Sequence, residues 1–378
     1  MTASKRVDMP IPISRLVETM ERIAPTRLAQ EWDNVGLLAG DPRARLRRVL
    51  LCIDLAPAVV EEAISEKVDL VLAYHPPIFK PISRLRADAW GAESQVFQCI
   101  AHGISIYATH TALDAADGGT NDVIALLCGA EEVEPLVHGE ALAQASVKLV
   151  VFVPPKNADR VAEAMFAAGS GRIGDYSHCS FRIPGKGTFL GSQTTNPARG
   201  KRGRRETVDE LRLETIVPRP SLPAVVHALI KTHPYEEPAF DLYPLLERPV
   251  GGIGRIGRLR RAVPLATLAG KLKKAVHAPS VQRVGPEDRP IDRVVIVVGA
   301  AGRLPLAAPL TPNHAIITGE IRHHDALTIE RIGCTAIALG HWSSERPVLD
   351  SLAVRLRQAL PTVQMAVSQA DREPFRPV

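Results

Sequence analysis

Five side chains stand just beyond apolar runs, where they are placed to do chemistry. His75 closes the run VDLVLAY (68–74) and precedes Pro76 and Pro77; His110 and Asp114 follow ISIYAT (104–109); His341 and Glu345 follow TAIAL (335–339). Imidazole and carboxylate are donors that Zn²⁺, Mn²⁺ and Fe²⁺ accept from proteins, and thiolate is absent from the set. The four-residue spacing of His341 and Glu345, and of His110 and Asp114, puts each pair on one face if a helical turn continues. Two prolines stiffen the chain after His75 and help fix its direction. Singly, each has a plainer reading: a His-x-x-x-Glu pair is usually a surface salt bridge, and a lone histidine after a strand is usually a hydrogen-bonded loop residue. Three such sites at strand ends, the edge where ligands collect in open α/β sheets, point to a divalent-metal site, although spacing alone leaves both readings open.

Other motifs carry less. Gly252-Ile253-Gly254-Arg255-Ile256-Gly257 matches G-x-G-x-x-G, but Pro249 precedes it and residues 258–262 open no obvious helix, so a glycine-rich turn or strand bend fits better than a dinucleotide site. Gly299-Ala300-Ala301-Gly302 after VVIVV (294–298) reads as a tight turn. Thr318-Gly319-Glu320 ends another apolar run, with His323, His324 and Asp325 beyond it. Glu320 or His324 could orient a ligand or hold a water, against the plainer reading of polar residues at a helix start. Asp117-Gly118-Gly119-Thr120 reads as a turn and helix cap. No G-x-S-x-G is present, and no cysteine sits in an evident dyad.

The elements that must position these residues fall into three blocks. The first, to about residue 138, alternates strands (48–55, 68–74, 104–109) with helices (57–67, 93–102, 120–127). Near-continuous apolar strands alternating with helices argue for a sheet covered on both faces. The second, residues 141–247, reads strand (148–153), helix (158–168), strands within 177–183 and 206–217, helix (222–232) and strand (239–245). That βαββαβ order is ferredoxin-like and self-contained, hence an inserted α+β domain. The third block, 248–378, resumes α/β alternation, with strands at 294–298, 315–318 and 335–339 and helices at 325–332 and 347–360. Segments 1–140 and 248–378 share this texture and all the candidate ligands, so they are expected to form one discontinuous domain.

Bulk properties set the outer bounds. A chain of 378 residues, 46% hydrophobic, can bury two or three cores. No apolar run reaches the roughly 18 residues that span a bilayer, and residues 1–10 lack the apolar stretch of a signal peptide. Five scattered cysteines without a C-x-x-C pair argue against a zinc knuckle or a disulfide framework and for a reducing, cytoplasmic setting. The net charge of +5 is mild, and the densest basic cluster (Lys201, Arg202, Arg204, Arg205) has no aromatic neighbours for stacking, so a nucleic-acid partner is not expected.

Several longer stretches occur together in one order: EWDNVGLLAGDP (31–42), HPPIFKP (75–81), ATHTALDAADGGTND (108–122), HPYEEPAFDLYPL (233–245), GIGRIG (252–257), TGEIRHHDA (318–326) and GHWSSE (340–345). Through them the sequence resembles the NIF-three-like family of dinuclear metal-centre proteins, often described as GTP cyclohydrolase I type 2 homologues. The resemblance implies metal ligation by His75, Asp114, His341 and Glu345, with His110 as a site neighbour. A family histidine ligand precedes the position of His75; here that place is Tyr74. Either one of the two metals is lost or weakened, or Tyr74 binds as phenolate, or water fills the place. The insert resembles the PII and CutA trimer domains of long family members, which implies a homohexamer, with His233, Tyr235 and Glu236 at the insert's interface or central cavity. The resemblance implies a GTP cyclohydrolase-like activity; if the site is hydrolytic, one or two ions (Zn, Fe or Mn) suit a nucleotide, a phosphoester or a purine ring opened by hydrolysis as substrate. The alternative is a non-enzymatic hexameric metal-binding scaffold or regulator.

Overall fold

The computed structural model describes residues 10–138, 143–246 and 251–376. The chain separates into two compact units, Met1–Gly139 with Val250–Val378, and Glu140–Pro249. Among the described residues no helix is long and apolar enough to cross a membrane.

The discontinuous unit is built on two sheets. In the first, strand Arg48–Cys52 is flanked in parallel by Gln364–Val367 and Leu70–Ala73; Ser105–Ala108 continues the parallel run, and Gly36–Ala39 closes it antiparallel. In the second, Pro290–Val297, His314–Thr318 and Thr335–Ala338 run parallel, with Gln282–Val284 antiparallel at one edge and Gly252–Pro264 then Ala130–His138 antiparallel at the other. The apolar runs are continuous because both faces of each sheet are covered. Successive side chains point to opposite faces. Val49, Leu51, Leu70 and Leu72 therefore enter a core with helices Ile13–Ile23 and Pro347–Ala359. Leu50, Cys52, Val71 and Ala73 enter another with helices Pro57–Ser65 and Ala92–Ala101. The second sheet alternates likewise: Val294, Ile296, Ala315 and Ile317 face helices Thr120–Cys128 and Leu265–Ala275, while Val295, Ile316 and Ala336 pack on the side of helix His323–Arg331.

The second unit carries strands Ala143–Val153, Ser180–Leu190, Arg205–Pro218 and Phe240–Leu246, all antiparallel, with helices Ala158–Ala167 and Leu222–Thr232. In sequence order the sheet reads fourth, first, third, second, a split βαβ arrangement. The hairpin is longer than its apolar pattern predicts, because Ser180–Leu190 stays exposed along most of its length and so shows no hydrophobic period. Within this unit the His233 ring sits 3.1 Å from the Phe152 carbonyl and its other nitrogen accepts from the Tyr235 N–H at 3.1 Å.

The glycine motif 252–257 lies inside strand Gly252–Pro264, and the helix that follows opens only at Leu265. Gly254 has φ 64°, and a Cβ there would come within 2.8 Å of Val297 and 2.9 Å of the Ile296 carbonyl, so the residue serves a close strand approach. Between these glycines, Arg255 is buried and fully engaged. Its Nε and Nη2 donate to the two oxygens of Asp122 at 2.6 and 2.7 Å. Nη1 donates to the carbonyls of Gly252 and Gly254, and Nη2 also to that of Ala116. Asp122 belongs to the first segment of the unit and Arg255 to the second, so a bidentate pair clamps the two segments together. Arg255→Ala is expected to lower unfolding stability by about 3 kcal/mol or more, because it strands three carbonyls and leaves the Asp122 carboxylate, among the described residues, only the Gly118 N–H; denaturant titration showing a loss under about 1 kcal/mol would contradict the clamp.

Candidate metal centre

In both sheets the residues that follow the parallel strands converge. Strand Arg48–Cys52 leads to Asp54, Leu70–Ala73 to His75, and Ser105–Ala108 to His110; in the second sheet Pro290–Val297 leads to Gly299, His314–Thr318 to Glu320, and Thr335–Ala338 to His341. This is the carboxyl edge at which open sheets gather ligands. Asn121 links the two edges, donating from its side-chain amide to the Asp114 carbonyl at 2.9 Å and accepting from the Val298 N–H at 3.1 Å. Asp371 braces one flank, accepting from the Ile53 N–H at 2.8 Å and from the Trp342 indole N–H at 3.0 Å.

His75, His341 and Glu345 come together so that one donor atom from each lies within 4.8 Å of the others. A five-residue helix, His341–Glu345, supplies the turn that the four-residue spacing needs to put both side chains on one face, and Glu345 is buried at its end. The imidazole Nε2 of His341 lies 3.3 Å from Glu345 Oε1, and that of His75 lies 3.3 Å from Oε2. The other nitrogens are committed elsewhere: His75 Nδ1 faces Asp54 at 2.9 Å and His341 Nδ1 faces Glu320 at 2.8 Å. A carboxylate accepts only, so each Nδ1 carries the proton and, in the neutral ring, each Nε2 turns a lone pair toward Glu345. Glu345 Oε2 is buried without an aligned hydrogen bond.

This arrangement calls for positive charge. Burial opposes a charge on His75, but Asp54 and Glu345 outweigh it and push its pKa up to about 10. Contact with Glu345 is the largest influence on His341, which rises to about 9. Burial works against ionisation of Glu345, yet the two imidazoles hold it below the usual carboxylate range. Burial and then the neighbouring Glu345 charge lift Asp114 to about 6.

The other sequence candidates take distinct places. Asp114 is not in the three-residue group; its carboxylate accepts from the Tyr74 hydroxyl. Tyr74 is fully buried, and burial followed by the charges of Asp114 and Glu345 drives its phenol well above the ordinary range. A phenolate is thereby disfavoured in the state described. His110 and Asp114 share helix His110–Ala115 but diverge: His110 Nδ1 lies 2.9 Å from Asp33, and its ring centroid stands 5.2 Å from that of His75. Its φ of 28° is rare for a non-glycine residue and is held by the bond from its N–H to the Tyr74 carbonyl at 2.9 Å. Glu320 reaches the group through His341, whereas His324 is exposed with its ring against His323 at 5.4 Å. Sequence reasoning missed Asp54, as well as Asp33 and Asp371, whose partners lie 77 and 318 residues away. The EWDN stretch was the one available pointer to Asp33.

Gly299, a tight turn by its sequence, is also a cradle wall. With φ 62°, it passes so close that a Cβ would stand 2.3 Å from Glu345 Oε1 and 3.4 Å from His341 Nε2. Its N–H donates to Ser344 Oγ at 3.0 Å, which pins the helix carrying His341 and Glu345.

Fold and site together define a mixed α/β protein with a histidine–carboxylate group at the converging carboxyl edges of two sheets. Residues 11–374 match the Duf34/NIF3 (NGG1p interacting factor 3) family, and the chain belongs to that family. The GTP cyclohydrolase 1 type 2 homolog of Halalkalibacterium halodurans is 37% identical over 365 residues, 95% of this chain and 97% of that one. Its Bacillus subtilis namesake is 33% identical, covering 96% and 97%. Among solved structures, a Bacillus cereus protein related to NIF3 superposes with TM-score 0.73 at 31% identity, covering 97% of this chain and 99% of its own. A Staphylococcus aureus protein does so with TM-score 0.82 at 25% identity, covering 98% and 99%.

Gly302 has a similar φ of 56° but nothing within 4 Å of a would-be Cβ, so it serves as a control for Gly299. Gly302→Ala is expected to cost about 1–2 kcal/mol, the left-handed backbone penalty alone. Gly299→Ala should cost clearly more, because Glu345 must move. Equal losses in thermal or denaturant unfolding would remove Gly299 from the cradle.

Proposed function

We propose that the protein holds one divalent cation per chain through His75, His341 and Glu345 and uses it as a metal-dependent hydrolase of a nucleotide or phosphoester. The single observation that carries the reading is the convergence of His75 Nε2 and His341 Nε2 on the buried Glu345, each 3.3 Å from one of its carboxylate oxygens. Two neutral imidazoles and a carboxylate match the donor set of Zn²⁺ or Fe²⁺ sites that keep a position open for chemistry. Asp54 and Glu320 fix the ring orientations from behind, as carboxylates do in metal-bound histidines. Such a cation, when bound, supplies Lewis acidity toward a substrate oxygen.

The remaining groups belong to this chain's own chemistry. Asp33 keeps the proton of His110 on Nδ1, leaving Nε2 able to take a proton beside the site and return it. Asp33 also accepts from the Thr111 hydroxyl and N–H, so the pair is held rigidly. The hydrogen bond from Tyr74 to Asp114 supports a reading of one cation per chain rather than two. The printed descriptions of the relatives as GTP cyclohydrolase 1 type 2 homologs support a nucleotide substrate without establishing one.

Metal analysis of the purified protein should find about one transition-metal ion per chain, and a nucleotide panel should show hydrolysis that chelation abolishes and metal restores. His341→Ala and Glu345→Gln should each lose the ion and the activity. Full metal retention by both variants would refute the ligand set; stoichiometric metal with no turnover on any nucleotide would favour the scaffold reading.

Metal uptake should also release protons. Near pH 7 both imidazoles hold their second proton in the metal-free protein, since their pKa values stand at about 10 and about 9. A cation must displace these, so affinity rises as pH rises toward that range and uptake at pH 7 liberates close to two protons. Calorimetry in buffers of different ionisation enthalpy measures the number; no release would contradict the imidazole ligands.

A further inference from the structure

Two large apolar rings stand in solvent beside the candidate centre. Trp32 is 59% exposed and Phe79 46%. Their ring centroids are 5.9 Å apart with planes at 54°, and the indole meets His110 nearly edge-on at 5.9 Å and 73°. Single exposed apolar side chains are ordinary. These two touch each other, and one of them touches a residue that borders the proposed metal ligands.

Both are carried on pinned backbone. The turn holding Trp32 is fixed by Asp33, which accepts from the His110 ring and the Thr111 N–H, and by the Gln30 N–H, which donates to the Thr111 hydroxyl at 3.0 Å. The Asn34 side-chain amide donates to the Ile78 carbonyl and so ties that turn to the segment carrying Phe79. Rings carried on a backbone tied in this way, with exposed faces, can receive a flat partner at a lower ordering cost than rings on a free loop. A ligand reaching the His75, His341 and Glu345 group past His110 has these rings as its neighbours. The chemistry that fits is a planar heteroaromatic ring joined to an oxygen-bearing group.

We propose that Trp32 and Phe79 form a shelf on which the base of a nucleotide stacks while its oxygen-bearing part lies toward His75, His341 and Glu345. The proposal rests on the metal-site reading above and names its specificity residues. Stacking of one base on an aromatic ring contributes enough that alanine substitution weakens binding by about tenfold.

The test uses the full-length, metal-loaded protein with GMP and, as a base-free comparison, ribose 5-phosphate, read by calorimetry with metal content measured on each variant. Trp32→Ala should weaken GMP binding by about tenfold, leave ribose 5-phosphate unchanged and retain the metal; Trp32→Tyr should keep most of the GMP affinity and Phe79→Ala should lose part of it. Equal loss for both ligands, loss of metal in Trp32→Ala, no effect of either alanine variant, or wild-type protein binding GMP no tighter than ribose 5-phosphate would each overturn the shelf. Failure of the metal reading shows separately, as wild-type protein that takes up no cation; base-dependent GMP binding sensitive to Trp32 would still support the shelf in that case.

Discussion

The centre depends on one electrostatic constraint: two imidazoles cannot both present lone pairs to the same buried carboxylate without positive charge between them. Asp54 and Glu320 hold the Nδ1 protons of His75 and His341, which turns both Nε2 atoms toward Glu345 at 3.3 Å. Protons supply the missing charge when nothing else does, and the elevated pKa values of both histidines express that demand. A divalent cation would meet the same demand with one particle.

The rest of the unit maintains that convergence. His75 and His341 leave two different sheets, and small errors between the sheets would separate them. Asn121 joins the sheet edges through the Asp114 carbonyl and the Val298 N–H, Asp371 joins Ile53 to Trp342, and the Arg255–Asp122 pair locks the segments that the insert divides. Each polar tie is buried or partly buried, where an unsatisfied group is costly, so each specifies geometry more than it adds stability. Gly299 completes the enclosure by giving up its side chain where Glu345 needs the space.

Tyr74 changes what the neighbouring carboxylate does. Its hydroxyl donates to Asp114, which burial and Glu345 already press toward the neutral form. Asp114 therefore stands beside the three-residue group instead of within it. The shared spacing of His110–Asp114 and His341–Glu345 led to different outcomes for this reason: the second pair closes on one point, whereas the first is drawn apart by Asp33 and Tyr74.

Much of this was legible before folding. The apolar runs before His75, His110 and His341, the four-residue spacing of His341 and Glu345 and the βαββαβ order of the second unit are all local pattern, set by side-chain period and strand–helix alternation. Local pattern could not supply Asp33, Asp54 or Asp371, because an isolated aspartate carries no sign of the distant N–H or imidazole it will meet. Nor could it distinguish Gly299 from an ordinary turn glycine or tell that Tyr74 would take Asp114 as its partner. Sequence determined which donors stand at strand ends, since that follows from neighbours along the chain; tertiary structure alone decided which donors share one point and which proton each keeps, since distance and burial between remote segments exist only once the sheets have packed.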